Sequence, residues 1–309
     1  TDTKAREHLS RAFFFRILVL MKTALLFSLN LFVHASVSAQ TNQLTARQIV
    51  EKIQKQTGAS LPENTVDTFK AGDPDKPITG IAVTMMATYD VLERAAASGK
   101  NLVITHEPTF YNHRDTTADL AQANDAVLAA KKDLIEKHGL VVWRFHDGWH
   151  ARKPDGILLG MTRALGWVDH QNPENPHLFQ LPETTLNKLA DAIQKKLMIQ
   201  NMRVVGDKDM RLTRIALLPG AAGPARQIQL LERNDVEALL IGEVPEWETI
   251  EYVADAVSQG KHKALLLLGH IPSEQAGMDE CALWLRTFIK EVPVEFIPAK
   301  EMFWSLKQK

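Results

Sequence analysis

The sequence predicts an α/β fold made of two related lobes, each a mixed or largely parallel sheet with flanking helices. Three observations carry that prediction. The candidate strands are short, continuous apolar runs such as Leu102-Val103-Ile104 and Ala264-Leu265-Leu266-Leu267-Leu268, the pattern of strands buried on both faces. Each run alternates with a helical stretch, at the spacing of β–α–β units. The alternation halts in a polar, proline-containing bridge at 168–183 and then resumes, which divides the chain into lobes of about 40–170 and 184–309.

The elements follow in order. Thr45 to Thr57 reads as a helix with Ile49, Val50 and Ile53 on one side, and Pro62 to Pro77 reads as a Gly-, Asp- and Pro-rich loop. Ile81 to Thr84 is a strand, Tyr89 to Ser98 a helix closed by Gly99, and Leu102 to Ile104 a strand running into Thr105-His106. Residues 119–137 form a helix ended by Gly139, Leu140 to Trp143 a strand running to His146, and 157–165 a helix ended by Gly166. Past the bridge come a strand at Ile215 to Leu218, a helix at 224–233, a strand at Ala238 to Ile241 and a helix from Glu246 to Ser258. A strand at Ala264 to Leu268, a helix at 274–290 and a last strand at Val294 to Ile297 complete the set. The lobes echo each other: Gly99-Lys100 precedes a strand ending in His106-Glu107-Pro108, and Gly260-Lys261 precedes one ending in His270-Ile271-Pro272.

Residues 1–39 read as an upstream extension and a secretory signal peptide. Met21 is the expected start, Lys22 the positive end, Ala24 to Val33 the apolar stretch, and Val37-Ser38-Ala39 the small residues before cleavage. A membrane anchor is the alternative, but Arg16 and Lys22 interrupt the run short of the roughly 18–20 apolar residues a span requires. The expectation is therefore an exported chain, periplasmic or secreted, with no span after signal cleavage. Of 36 Lys/Arg and 37 Asp/Glu, five and two precede residue 40, so the remainder carries 31 positive and 35 negative side chains. That balance excludes a general nucleic-acid binder, which needs a basic surface. The single cysteine, Cys281, excludes an intramolecular disulfide and falls in an apolar helix, where it reads as core.

The chemistry is concentrated in three clusters at or beyond strand ends: His106-Glu107, His146-Asp147-Gly148-Trp149-His150, and His270 with Glu274. Each mixes imidazole with carboxylate, the donor set of zinc, iron or manganese. Carboxyl ends of strands are also where open α/β sheets place ligands. Taken singly, each cluster is equally at home as a polar rim, a helical ion pair or a loop bonded to its own backbone. Gly220-Ala221-Ala222-Gly223, between a strand and a helix, is either a tight turn or a cradle for an anion.

These motifs resemble the Ngg-one-interacting-factor-three-like family, whose members are also described as dinuclear-metal-centre hexamers and in part carry the name type-two GTP cyclohydrolase I. The family pattern runs I-T-H-H-P, H-T-N-x-D, G-G-S/A-G, G-D and G-H-x-x-S-E. This chain has Ile104-Thr105-His106-Glu107-Pro108, His146-Asp147-Gly148-Trp149-His150, Gly220-Ala221-Ala222-Gly223, Gly242-Glu243 and Gly269-His270-Ile271-Pro272-Ser273-Glu274. The likeness spans about residues 80–300 and implies metal ligation by His106, Glu107, His150, His270 and Glu274. Glu107 stands at a family histidine and His150 at the family aspartate, so three imidazoles and two carboxylates are retained; Asp147 is the alternative ligand to His150. Trp247 stands where family members often have a histidine.

The resemblance implies two divalent transition-metal ions (Zn, Fe or Mn), with Glu274 bridging, and a homo-oligomer, a hexamer in the family. It implies a metal-dependent hydrolase acting on a small-molecule substrate, with His146 and Glu243 as outer-sphere or proton-transfer groups. Glu243 reads equally as a helix-entry residue before Pro245. The alternative is non-enzymatic: a metal-binding scaffold, or a protein-interaction adaptor.

Overall fold

The computed structural model describes residues 43–306. Ten strands form two five-stranded sheets, with helices packed on them. The segment at 1–39 read as a signal peptide lies outside the described residues. Among the described residues no helix is long and apolar enough to cross a membrane.

The chain enters through α1 (Ala46–Thr57). A capping box starts it: the Thr45 hydroxyl accepts from Gln48 N–H, and the Gln48 side chain accepts from Thr45 N–H. Ala46, Ile49, Val50 and Ile53 bury its apolar face against the first sheet. That sheet contains β1 (Phe69–Ala71), β4 (Val141–Arg144), β3 (Leu102–Thr105), β2 (Ile81–Thr84) and β10 (Val294–Phe296), in that spatial order. β2, β3, β4 and β10 run parallel, and β1 closes one edge antiparallel to β4. Helices α2 (Tyr89–Ala97), α3 (Ala118–Gln122) and α4 (Ala126–Lys137) connect β2 to β3 and β3 to β4. After β4 come α5 (Asp147–Ala151) and α6 (Gly156–Leu165).

The second sheet has the order β5 (Leu178–Thr185), β7 (Arg211–Leu218), β8 (Ala238–Ile241), β9 (Ala264–Leu267), β6 (Arg203–Val205). β7, β8 and β9 run parallel and are entirely apolar where they pair with one another; β5 and β6 flank them antiparallel. Its helices are α7 (Leu186–Leu197), α8 (Pro224–Glu232), α9 (Glu251–Ser258) and α10 (His270–Phe288). α10 leads from β9 back to the first sheet, where β10 pairs with β2.

The base of the second sheet is tied by Glu237, just before β8. Its carboxylate accepts from the Thr213 and Arg214 amides at 2.8 and 2.9 Å and from the Arg214 guanidinium at 2.8 Å. Burial opposes the charge, but these bonds outweigh it and hold the Glu237 pKa at about 2, below its ordinary 4.5. A depressed carboxylate stabilises the fold above its unfolded pKa and loses that contribution as pH falls toward 2. Glu237→Gln is therefore expected to lower stability by about 1–2 kcal/mol at pH 7, a value discounted for partial solvent screening. The deficit should shrink between pH 5 and pH 2 in denaturant titrations; a constant deficit would contradict it.

Several sequence expectations need correction. The loop expected at 62–77 contains edge strand β1, too short for a two-residue alternation to register. The helix expected at 119–137 is two helices, parted where Asn124 turns left-handed at φ 51° and Asp125 caps α4. The bridge expected through 183 already contains most of β5, whose Pro182 sits at an edge-strand irregularity in the pairing to β7. α7 and β6 had no counterpart in the sequence reading. The 246–258 helix opens with a π-helical turn, Glu246–Ile250. Finally, α10 starts at His270, earlier than the expected 274.

Candidate metal centre

The site forms where the carboxyl ends of both sheets' central strands meet. His106 and Glu107 follow β3, His146 lies two residues beyond β4, Gly220 two beyond β7, Glu243 two beyond β8 and His270 three beyond β9. The 146–150 stretch, expected as a loop, is the short helix α5. Asp67 makes it so: its carboxylate accepts from the His146, Asp147 and Gly148 amides at 2.7–2.8 Å, capping α5 from a remote loop. Burial of Asp67 pushes its pKa up against those three bonds. One helical turn then places His146 and His150 on the same side.

Four imidazoles have one ring nitrogen engaged and the other directed inward. His106 Nδ1 meets Phe145 O at 3.1 Å, His146 Nδ1 meets Asp147 Oδ1 at 2.8 Å, and His150 Nδ1 meets Asp155 Oδ2 at 2.9 Å. His270 Nδ1 lies 3.3 Å from Glu243 Oε1. In a neutral ring an oxygen at Nδ1 fixes the tautomer with its lone pair on Nε2, the arrangement of metal-ligating histidines. The four Nε2 atoms share a space with two carboxylates. His270 Nε2 is 3.3 Å from both Glu107 Oε1 and Glu274 Oε2, His106 Nε2 is 3.6 Å from Glu274 Oε2, and His146 Nε2 is 3.8 Å from Glu107 Oε1. All five residues expected as ligands, together with His146 and Glu243, are thus in one cluster. Asp147 bonds outward, to His146, Thr65 and the Val66 amide.

The electrostatics favour a cation here. His106 is fully buried, and burial, with the neighbouring His146 and His150, pushes its pKa well down. At His270 burial acts the same way, but the adjacent carboxylates of Glu107, Glu243 and Glu274, each 3.3 Å away, outweigh it and push the pKa up to about 12. Three carboxylates that hold a proton this firmly are equally suited to a metal ion, with which the proton competes. His106 Nε2 and Glu274 Oε2 are buried without a hydrogen-bond partner, which a native site rarely tolerates without a ligand to complete it. The donor set therefore fits divalent ions: four imidazole nitrogens and two carboxylates within coordinating reach.

Three supporting residues escaped the sequence reading. Arg144, fully buried, donates to His106 O, His113 O and Glu107 Oε2 at 3.0, 2.6 and 3.2 Å, so it neutralises one oxygen of Glu107 and leaves Oε1 facing inward. It directly follows the expected Leu140–Trp143 strand, and a charge beside so apolar a run was the one signal. Asp155 orients His150 and also caps α6, accepting from Ile157 and Leu158 N–H. Asp155→Ala is expected to lower stability by about 0.5–2 kcal/mol through the lost cap and to weaken metal affinity by about 10–100-fold. Denaturant titration measures the first and calorimetric metal titration the second, and unchanged metal affinity would exclude the orienting role. Asp67 is the third.

Gly220 resolves the glycine-loop alternative toward packing. A Cβ at Gly220 would stand 2.3 Å from Glu274 Oε1, and its N–H donates to Ser273 Oγ at 3.0 Å, so the loop presses on the first turn of α10. Trp247 is three-quarters exposed on the π turn.

The profile of the Duf34/NIF3 (NGG1p interacting factor 3) family matches residues 45–302. The chain belongs to this family. It is 23% identical over 244 residues to a GTP cyclohydrolase 1 type 2 homolog of Clostridium perfringens, a match covering 74% of this chain and 86% of that protein. A Bacillus cereus protein related to NIF3 superposes with a TM-score of 0.66 at 14% identity, over 85% of this chain and 99% of that one. A Staphylococcus aureus protein superposes with a TM-score of 0.65 at 15% identity, over 85% and 100%. These structural likenesses establish the Duf34/NIF3 fold, two sheets with flanking helices, for this chain.

Proposed function

We propose that this chain is a dinuclear metal-binding protein that hydrolyses a small substrate. The observation that carries the reading is the orientation of four imidazoles, each engaged at Nδ1, with Nε2 of His106, His146 and His270 within 3.8 Å of Glu107 or Glu274 and His150 grouped with His106 and His146. His106, Glu107, His150, His270 and Glu274 would hold two divalent ions, zinc, iron or manganese, with Glu274 between them.

When bound, such a pair lowers the pKa of water and polarises a substrate carbonyl or phosphoryl group. The chain's own residues supply the rest. Arg144 and Asp155 hold Glu107 and His150 in orientation. Glu243, more than half exposed, orients His270 and stands at the solvent side, where it can take up or deliver a proton. Its hydrogen bond to His270 keeps it below the ordinary carboxylate pKa and so in the base form. His270 and Glu243 are both reached by solvent, which favours an open catalytic site over a closed structural one.

The same reading has the chain exported by the 21–39 segment and self-associating. Two tests follow. Metal content by plasma mass spectrometry, on protein purified without chelator or affinity metal, is expected to give about two ions per chain. Esters, amides and phosphates are then screened for turnover. A chain that binds no metal after reconstitution with zinc, manganese and iron would overturn the proposal; two tightly held ions with no turnover would leave a metal-binding scaffold.

A further inference from the structure

The inward-facing donor atoms gather in two groups of different chemistry that meet at His106, whose Nε2 also lies 3.6 Å from Glu274 Oε2. In one, His270 Nε2 lies 3.3 Å from Glu107 Oε1 and 3.3 Å from Glu274 Oε2: one imidazole and two carboxylates. In the other, His106, His146 and His150 each offer a ring nitrogen within 4.8 Å of those of the other two: three imidazoles and no carboxylate. The Nδ1 atoms of these three are engaged by Phe145 O, Asp147 and Asp155, so the nitrogens on offer are Nε2. Their ring centroids are 4.6, 4.9 and 5.0 Å apart.

We infer that His146 is itself a metal ligand, and that the centre is asymmetric, with a nitrogen-rich position at His106, His146 and His150, an oxygen-rich position at Glu107 and His270, and Glu274 between the two. The inference rests on the dinuclear reading and sharpens it. Nitrogens that bind one ion at roughly 2.0–2.1 Å in a tetrahedral arrangement stand about 3.4 Å apart, so the imidazole triad needs only a modest contraction. Asp147 is oriented for this role as Asp155 is for His150: Thr65 Oγ1 and the Val66 amide fix one carboxylate oxygen, leaving the other for His146 Nδ1. A proton-transfer group would need to face substrate across the ions; His146 instead stacks on His106 at 27° between ring planes, with the completely buried His106 nitrogen beside it. The two positions should also differ in preference. Three imidazoles suit zinc, whereas two carboxylates with a single imidazole accept manganese more readily.

The test is sequential loading. Metal-free protein given one equivalent of zinc and then one of manganese is expected to hold one of each, the zinc at the nitrogen-rich position. With one equivalent of zinc, X-ray absorption on the unaltered protein should give three imidazole nitrogens per zinc. His146→Ala should keep the oxygen-rich ion and lose zinc affinity at the other position by about 100-fold or more, the upper end of what losing an outer partner alone costs. Its cobalt(II) derivative should lose the visible absorption of the nitrogen-rich ion. Two or fewer imidazoles at the first zinc overturns the assignment, however the variant folds. A His146→Ala chain that binds two ions with unchanged affinity and cobalt spectrum also overturns it, while the dinuclear reading stands. Failure of the unaltered chain to bind any ion removes both.

Discussion

Glu274→Ala protein is expected to emerge from a chelator-free purification without its metal pair, and to lose hydrolytic activity by at least about three orders of magnitude. Metal contributions to charge stabilisation in such reactions amount to several kcal/mol, and each 1.36 kcal/mol is tenfold in rate. Glu274 is the residue to change because Oε2 is buried, has no hydrogen-bond donor, and lies within 3.6 Å of both His106 and His270. The helix has anchors on either side of it: Ile271 precedes it, and Met278, Cys281, Ala282 and Leu285 follow in this 19-residue helix. The metal-free unaltered protein and the variant should therefore melt at similar temperatures. Added zinc should raise only the former, since a ligand at 100 times its Kd adds about 2.7 kcal/mol to stability. A variant that retains two ions, or activity, would refute the centre as described.

Trp149→Ala is expected to destabilise the chain by about 3–5 kcal/mol, the range for removing a fully buried large aromatic. Trp149 lies between His146 and His150 on α5, completely buried, with its ring 5.7 Å from Phe145 and 5.2 Å from Trp284. Its indole N–H donates to Gly277 O at 3.1 Å, so the helix bearing two histidines is pinned to the helix bearing His270 and Glu274. The fit leaves no slack: a Cβ at Gly156 would stand 2.0 Å from the indole, and Cβ atoms at Gly160 and Gly277 would strike the opposing helix at 2.4–2.5 Å. Trp149→Phe, which keeps most of the volume and loses the N–H, should cost about 1–2 kcal/mol less than alanine and weaken metal affinity all the same. Denaturant titration of metal-free protein isolates the packing loss, and zinc titration reads the alignment. Equal zinc affinity in both variants and the parent would separate α5 from the centre.

Much of this was legible in the sequence where the signal was long or chemical. The central strands β2, β3, β4, β7, β8 and β9 announce themselves because parallel strands covered on both faces are unbroken Val, Ile, Leu and Ala. The candidate ligands drew notice as His and carboxylate clusters beyond such strands, the family resemblance named the set, and the structure gathers these residues in one place. What stayed hidden depends on partners distant in the chain. Strand β1 exists through pairing with β4, and α5 exists because Asp67, about 80 residues upstream, caps it. Arg144 and Asp155 gain their roles only when folding sets Arg144 against Glu107 and Asp155 against His150. The helix break at Asn124 lay in a segment rich in good helix formers, where composition argued for continuity.

The return of β10 to the first sheet has a consequence for the order in which the molecule is made. β2 waits for its outer neighbour until residues 294–296 have been synthesised, some 210 positions after β2 itself. Until then the first sheet lacks an edge, and the apolar side of α10 that Met278, Cys281 and Leu285 bring to it has not arrived. Contacts of such wide sequence separation close slowly, because the loop entropy must be overcome before any contact repays it. His106 and Glu107 are thus in place early on the growing chain, while His270 and Glu274 dock among the last. A nascent or truncated chain therefore lacks His270 and Glu274, and the two halves of the cluster come together only once α10 has been made and docked.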